Sequence, residues 1–429
     1  MANTLQLSFE DISICLEKIR RSNLNAFISV QADVACAAAV YCDQVSDSGG
    51  RLGALHGMPV AIKDLIDVAG IPTTCGSRQH LDRCARSDAT VVSRLRAQGA
   101  IIIGKTNTHE FAYGSTGDNS YFGAVLNPYD KEKMAGGSSS GSAAAVAEGL
   151  CEAAIGTDTS ASIRVPAALC GVVGMKPTYG LLPTTGIFEL SKSLDHVGPI
   201  TRDVRTNSLL LEAMADRPGA FSKQIGASIQ GLKIGRIGRF YGMHIAGYVR
   251  DALDNAFEIL QTAGAHVIDI DIPEIEDVYQ AQQFILKAEA YATHRENIEA
   301  GGFYSDEVLT RLDAGKGILA KDYLRSIGYR HRAVKAFDQA LLDVDCVLTP
   351  TCGVTAPPLY ERKTFVEGQE LDTFFLLTRL TAPTNLSGHP SLSVPFGESH
   401  GLPIGLQIIG PRWQEETVYQ LGHYLEAAG

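Results

Sequence analysis

The chain has 429 residues, of which 45% are hydrophobic and 20% charged, and its formal net charge is −11. Such a length and composition fit a globular protein with a sizeable core, built as one large domain or two to three ordinary ones. The acidic balance speaks against a nucleic-acid binder, which usually carries a basic face. The nine cysteines are odd in number and irregularly spaced, with no CxxC, which speaks against a disulfide framework or a zinc site. The opening "MANTLQLSFEDISICLEKIRRSN" carries acids and lacks a long apolar run, so it does not read as a secretory signal. No stretch approaches the length of a membrane span. The expectation is a soluble protein of a reducing, cytoplasmic compartment.

In chain order, Ser8 to Arg21 reads as an amphipathic helix with Ser8 and Asp11 placed like a capping box. Met58 to Val68 is β-branched and apolar with a lysine inside it, which predicts a buried strand whose end carries Lys63 and Asp64. Asp88 to Gln98 reads as a helix and "AIIIGKTN" as the core strand after it, a helix-then-strand unit of α/β type. "GSAAAVAEGL" predicts a tightly packed helix, and "EAAIGTDT" a short strand entering a second serine cluster. "VPAALCGVVGMKP" reads as a close-packed helix and turn, and "LDHVGPITRDV" as a loop carrying His196.

Beyond residue 215 the pattern changes. "LKIGRIGRF" predicts a strand, Val249 to Ala263 an amphipathic helix, and "HVIDIDIP" another strand. Two long helical stretches follow, near Ile275–Asn297 and Ala320–Leu342, and then the strand "VDCVLTPT". "SVPFGESHGLPIGLQI" reads as a hairpin with its loop around His400–Leu402, before a final helix from Gln414. No repeat, linker or composition break divides the chain. One α/β domain over 1–429, with a helical elaboration over approximately 215–340, is the simplest layout.

Two clusters of hydroxyls stand out, "GGSSSGS" at 136–142 and "TSASIR" at 159–164. The first has the glycine spacing of a phosphate-binding loop, but Ser142 stands where that loop needs its lysine. Gly137 to Gly141 also matches G-x-S-x-G, which would make Ser139 a nucleophile. That elbow needs a strand directly before it, and "NPYDKEKMA" is polar and holds a proline. A third mechanism uses both clusters and a lysine. A serine is a poor nucleophile until a base takes its proton, and a buried, neutral lysine can be that base. Lys63 has the most apolar setting of any lysine in the chain. A second serine can relay the proton, because a hydroxyl both donates and accepts. Taken singly, Lys63 could snorkel from a strand end, and the serines could be turn or cap residues. Their joint pattern favours the chemistry. His196 and His389 read as loop-packing residues.

"LHGMPVAIKDLIDVAGIPTTCGS", "GGSSSGSAAAVAEGL", "GTDTSASIRVPAALCGVVGMKPTYG", "LDHVGPITR" and "NLSGHPSLSVPFG…GLPIGLQIIGP" closely resemble segments of the amidase signature family of serine hydrolases, in the family order. The resemblance implies a single large α/β domain with a central mixed β-sheet covered by helices, and a Ser–cis-Ser–Lys triad. It assigns Lys63 as the base, Ser138 after Gly137 as the cis-serine relay and Ser162 as the nucleophile. It makes the backbone N–H groups of Thr159, Ser160, Ala161 and Ser162 the oxyanion hole, and Ser139, Asp158 and Arg164 supporting residues. The segment Glu110 to Asp130 would line the acyl side of the pocket, with Tyr113, Phe111 and Gly137 as substrate contacts. No metal and no organic cofactor is implied.

The chain also departs from the pattern. The family usually reads GTDTGGSIR, and here Ser160 and Ala161 replace the two glycines; Ser140 replaces another in the first cluster. If either loop position needs a positive φ, a side chain there costs about 1–2 kcal/mol. The expected function is hydrolysis of a small-molecule amide C–N bond through a seryl acyl-enzyme. Carbamate, ester or urea-type hydrolysis with the same triad is one alternative. Others are the glutaminase subunit of a tRNA-dependent amidotransferase and a catalytically impaired binding relic. The 215–340 region is expected to shape the substrate pocket, and a homodimer is the base-rate oligomer.

Overall fold

The computed structural model describes residues 9–429, so the capping role expected of Ser8 lies outside the described residues. Its strands are β1 (Phe27–Val30), β2 (Pro59–Lys63), β3 (Ile101–Thr106), β4 (Ala153–Asp158), β5 (Val173–Lys176), β6 (His196–Thr201), β7 (Lys233–Ile237), β8 (His266–Ile270), β9 (Cys346–Pro350), β10 (Lys363–Val366), β11 (Gln369–Asp372), β12 (Ser391–Ser399) and β13 (Leu402–Ile409). Eleven of them form one mixed sheet in the order β1-β3-β2-β4-β6-β5-β12-β13-β9-β7-β8; β10 and β11 pair separately. β2 runs parallel to β3 and β4, and β7 runs parallel to β8 and β9, while the remaining neighbours are antiparallel.

The helices are α1 (Phe9–Arg21), α2 (Ala32–Asp47), α3 (Thr90–Ala97), α4 (Ser140–Ala147), α5 (Arg164–Leu169), α6 (Val204–Ala215), α7 (Arg239–Gly242), α8 (Gly247–Thr262), α9 (Ile275–Glu299), α10 (Asp306–Lys316), α11 (Ala320–Ala340), α12 (Thr373–Thr378), α13 (Ala382–Ser387) and α14 (Glu415–Ala428). Side chains of β2 alternate between two cores, as a period of two requires. Val60 and Ile62 join Leu95, Leu211, Leu260 and Leu421, from α3, α6, α8 and α14. Ala61 joins Ile12, Ala35 and Ala143–Ala145, from α1, α2 and α4. Both faces of the sheet are therefore covered, which is why its strands read as apolar runs instead of clean alternations. A third cluster sets α9, α10 and α11 against Leu65, Phe111, Tyr113, Leu190 and Leu194. This puts the 215–340 region next to the end of β2. The region is not wholly helical, because β7 and β8 from it form one edge of the sheet.

Three local expectations are corrected. β2 ends at Lys63, so the predicted strand over Met58–Val68 is confined to its first half. "GVVGMKP" does not continue a helix and turn, because Val173–Lys176 is strand β5, paired with β6 and β12. His196 opens strand β6 instead of lying in a loop, pairing with Asp158. Gly198 and Pro199 disguise that strand. Pairing of β6 with β5 is confined to Ile200 and Thr201, so Pro199 needs no N–H on that flank. The β12–β13 turn falls where the sequence put it. His400 and Gly401 have φ of 52° and 74°, the two positive values that a tight two-residue hairpin demands.

Candidate active site

Lys63 is the last residue of β2, a strand buried along its whole length, and it is fully buried itself. Its Nζ lies 2.7 Å from Ser138 Oγ, 2.7 Å from Thr157 Oγ1 and 3.4 Å from the Thr157 carbonyl oxygen. On the adjacent strand Lys105 is equally buried, but its amine is 3.1 Å from the Asp64 carboxylate. Among the described residues no carboxylate pairs with Lys63 in this way. Burial pulls its amine down to about 7, against the attraction of Asp158 and Asp195.

The first serine cluster turns from a cis Gly137–Ser138 peptide into α4. The Ser138 carbonyl accepts from the His109 N–H at 3.2 Å and the Thr108 hydroxyl at 2.9 Å. Small residues let α4 press onto the sheet. A Cβ on Gly141 would meet the Ala26 carbonyl oxygen at 2.3 Å and the Asn107 nitrogen at 2.5 Å. The two clusters join directly, since the Ser139 N–H donates to the Ser162 carbonyl at 3.1 Å. Ser139 Oγ also donates to the Thr157 carbonyl at 3.2 Å and accepts from the Thr157 N–H at 3.3 Å.

The second cluster is the link from β4 to α5. Neither Ser160 nor Ala161 has a positive φ, so replacing the two glycines puts no residue in the left-handed region. Among the described residues, the N–H groups of Thr159, Ser160, Ala161 and Ser162 donate to no protein acceptor. These are four consecutive backbone donors without a protein acceptor. Ser162 is 7% exposed, and its hydroxyl is likewise unpartnered among the described residues.

Arg164 holds this link in shape. It is fully buried and donates to both Asp158 carboxylate oxygens, at 3.0 and 2.9 Å, and to the Ser160 carbonyl at 3.1 Å. Four further bonds run to the Thr381 carbonyl, Thr384 Oγ1, Asn385 Oδ1 and Gln407 Oε1. Burial pushes the Asp158 carboxyl up, but Arg164, the Asn385 amide and the Ile163 N–H outweigh it and hold the group well below the usual carboxylate range. Asp195 is different. Burial raises it to about 7 despite hydrogen bonds from the Thr159 hydroxyl and the N–H groups of Leu190 and Ser191.

A crevice beside the amine is lined by Leu65, Ala112, Ile187 and Phe188 and by the polar residues Thr157, Thr159, Asp195 and His196. His196 Nδ1 faces the Leu194 carbonyl at 2.7 Å, so the proton sits on Nδ1; burial pulls the ring well below its usual value and keeps it neutral. Among the residues expected to touch substrate, Phe111 is fully buried, ringed by His80, Phe188, His294 and Tyr304. Tyr113 is 4% exposed, with its hydroxyl 3.4 Å from the Arg311 carbonyl. Gly137 is buried in the cis turn.

Sequence reasoning passed over Thr157, Asp195, Asn385, Gln407 and Gln282. Thr157, Asp195, Asn385 and Gln407 lie inside the motif segments "GTDT", "LDHVGPITR", "NLSGHP" and "GLPIGLQIIGP", so the motifs contained the signal. Gln282, on α9, donates to Ser160 Oγ at 2.7 Å, and nothing local marks it.

The family model described as Amidase matches residues 10–419. The chain belongs to the amidase family. This amidase is a hydrolase of amide C–N bonds. It is 35% identical to a glutamyl-tRNA(Gln) amidotransferase subunit from Koribacter versatilis (strain Ellin345), across 94% of this chain and 91% of that protein. A crystal structure of an amidase superposes with a TM-score of 0.92 at 34% identity, covering 99% of this chain and 96% of that one. A chain from a vestigial protein complex, described as revealing the origins of an s-triazine catabolic enzyme, gives a TM-score of 0.93 at 32% identity, covering 98% and 95%. Among the described residues of the amidase, no helix is long and apolar enough to cross a membrane.

Proposed function

We propose that the amidase hydrolyses a small-molecule amide through an acyl-enzyme on Ser162. The observation that carries this is the buried Lys63 amine, 2.7 Å from Ser138 Oγ and without a paired carboxylate among the described residues. A neutral amine has two N–H donors and one lone pair. The two oxygens of Thr157 accept the donors, and the lone pair accepts the Ser138 proton. Ser138 Oγ in turn takes the proton of Ser162 Oγ as that oxygen attacks the substrate carbonyl. The N–H groups of Thr159 to Ser162 receive the oxyanion, and one such donor is typically worth about 3–4 kcal/mol. The proton then passes from Ser138 to the leaving nitrogen as the C–N bond breaks. A water repeats the sequence at the ester and releases the acid. Ser139, Asp158 and Arg164 act by fixing the loop.

A fluorophosphonate probe and Ser162→Ala test this reading. The wild-type chain is expected to label at Ser162, and the variant to lose labelling and turnover while melting like wild type. Turnover retained in Ser162→Ala overturns the assignment.

The likeness to an amidotransferase component supports a second reading, a glutaminase working within a complex. An aryl anilide, a carbamate and glutamine supplied in parallel to the purified chain separate the two. Turnover of the anilide or carbamate by the single chain supports the stand-alone enzyme. Glutamine turnover that requires a partner supports the glutaminase.

A further inference from the structure

Gln282 is fully buried and comes from α9, far along the chain from the serine clusters. Its Nε2 donates to the Thr159 carbonyl at 3.1 Å and to Ser160 Oγ at 2.7 Å. Its Oε1 accepts from Gln283 Nε2 at 2.8 Å. The orientation of this amide is settled by chemistry. A carbonyl can only accept, so the NH2 end must face Thr159, and its second hydrogen then falls to Ser160. Both partners flank the peptide unit that carries the Ser160 N–H. The Ser160 carbonyl is fastened separately by Arg164 at 3.1 Å. Ser160 is thus gripped through its backbone by α5 and through its side chain by α9. The hydroxyl that α9 grips exists only because serine stands at a position where the family pattern has glycine.

We propose that Gln282 is a positioning residue for the oxyanion loop, fixing the direction of its N–H groups through Thr159 and Ser160. This rests on the role proposed above for those N–H groups. Such donors act only when they point at the place the oxyanion will occupy, so loosening them weakens the transition state more than the ground state. Packing of α9 does not depend on the amide, because Val278, Ile285 and Leu286 already seat the helix.

The test is the kinetics of phosphonylation by a fluorophosphonate, whose P–O bond places an oxyanion in the same loop. In Q282M the volume is kept and both hydrogen bonds to the loop are lost, together with the one from Gln283. The maximal inactivation rate is expected to fall about tenfold while the half-saturating probe concentration stays within about twofold, the scale of a small misplacement of catalytic groups. S160A removes one of the same bonds from the other end, so it reports even if Q282M folds poorly. The loss in the S160A/Q282M double variant is expected to be smaller than the product of the single losses, the mark of a shared interaction. Wild-type inactivation rates in Q282M, or losses that multiply independently, overturn the proposal while leaving Ser162 as nucleophile. Labelling of wild type at a residue other than Ser162 overturns the site reading itself, and the positioning role with it.

Discussion

Thr157 Oγ1 lies 2.7 Å from Lys63 Nζ, as near to the amine as Ser138 Oγ is. In the proposed mechanism a hydroxyl at that point accepts one of the amine's own hydrogens and leaves the lone pair for Ser138. Thr157→Val keeps the shape and removes the acceptor. A net hydrogen bond is worth about 1 kcal/mol, so kcat/KM is expected to fall about fivefold to tenfold with little change in melting temperature. Steady-state kinetics on any substrate turned over by wild type checks this.

Only the neutral amine can accept a proton. Since Lys63 is drawn down to about 7 by burial, kcat/KM is expected to rise with pH up to about 7 and level off above it. The stability linkage has its own sign. An unfolded lysine holds its proton up to about 10.5, so between about 7 and 10.5 the unfolded chain binds more protons at this site than the folded one, and this residue's contribution favours folding as pH rises. A pH–rate profile that is flat from pH 5 to 9 contradicts a lysine base.

Asp195 supplies a second handle on the same curve. Its carboxylate favours the charged form of Lys63, so Asp195→Asn is expected to move the acid limb to lower pH. Asparagine can still accept from Thr159 through Oδ1. Its amide nitrogen cannot accept from the N–H groups of Leu190 and Ser191, at 2.9 and 3.1 Å, so a stability loss of about 1–3 kcal/mol accompanies the shift. Chemical unfolding alongside the pH profile reads both effects.

Arg164→Met leaves the buried Asp158 carboxylate without its cation. Breaking one partner out of such a pair costs about 3–5 kcal/mol, and here several neutral acceptors are orphaned as well. The variant is expected to unfold at much lower urea concentration than wild type. In wild type the depressed Asp158 value means its stabilisation is present above about 3.8 and is lost as pH falls through the folded value.

Gly141→Ala tests the seating of α4. The added Cβ would stand 2.3 Å from one backbone atom and 2.5 Å from another, neither the end of a flexible chain. A destabilisation of about 1–3 kcal/mol or more is expected, with slower labelling of Ser162, because Ser138 lies just before this helix. Urea titration and probe kinetics measure the two separately.

Much of this architecture is written in local pattern. β2, β3 and β4 are apolar runs of core length, and the β12–β13 turn is marked by His400 and Gly401. The lysine and the two serine clusters stand out by their neighbours. What local pattern hid has a physical cause in each case. β5 and β6 are strands whose glycines and proline imitate punctuation, and only their flanking strands make those residues acceptable. Phe111 reads as a pocket aromatic because an apolar ring looks the same facing a cavity or facing other rings. Gln282 is an ordinary polar residue until folding brings it to the loop, and α9 carries no sign of which turn faces it.

Lys63, Ser138 and Ser162 are all translated within the first two-fifths of the polypeptide, but the acceptors that hold Arg164, at 381, 384, 385 and 407, emerge near its end. A nascent chain stalled after β6 would contain all three proposed catalytic residues but none of those four acceptors. If the proposed triad acts, reactivity is expected to switch on only when α13 and β13 have docked on the guanidinium, late in synthesis.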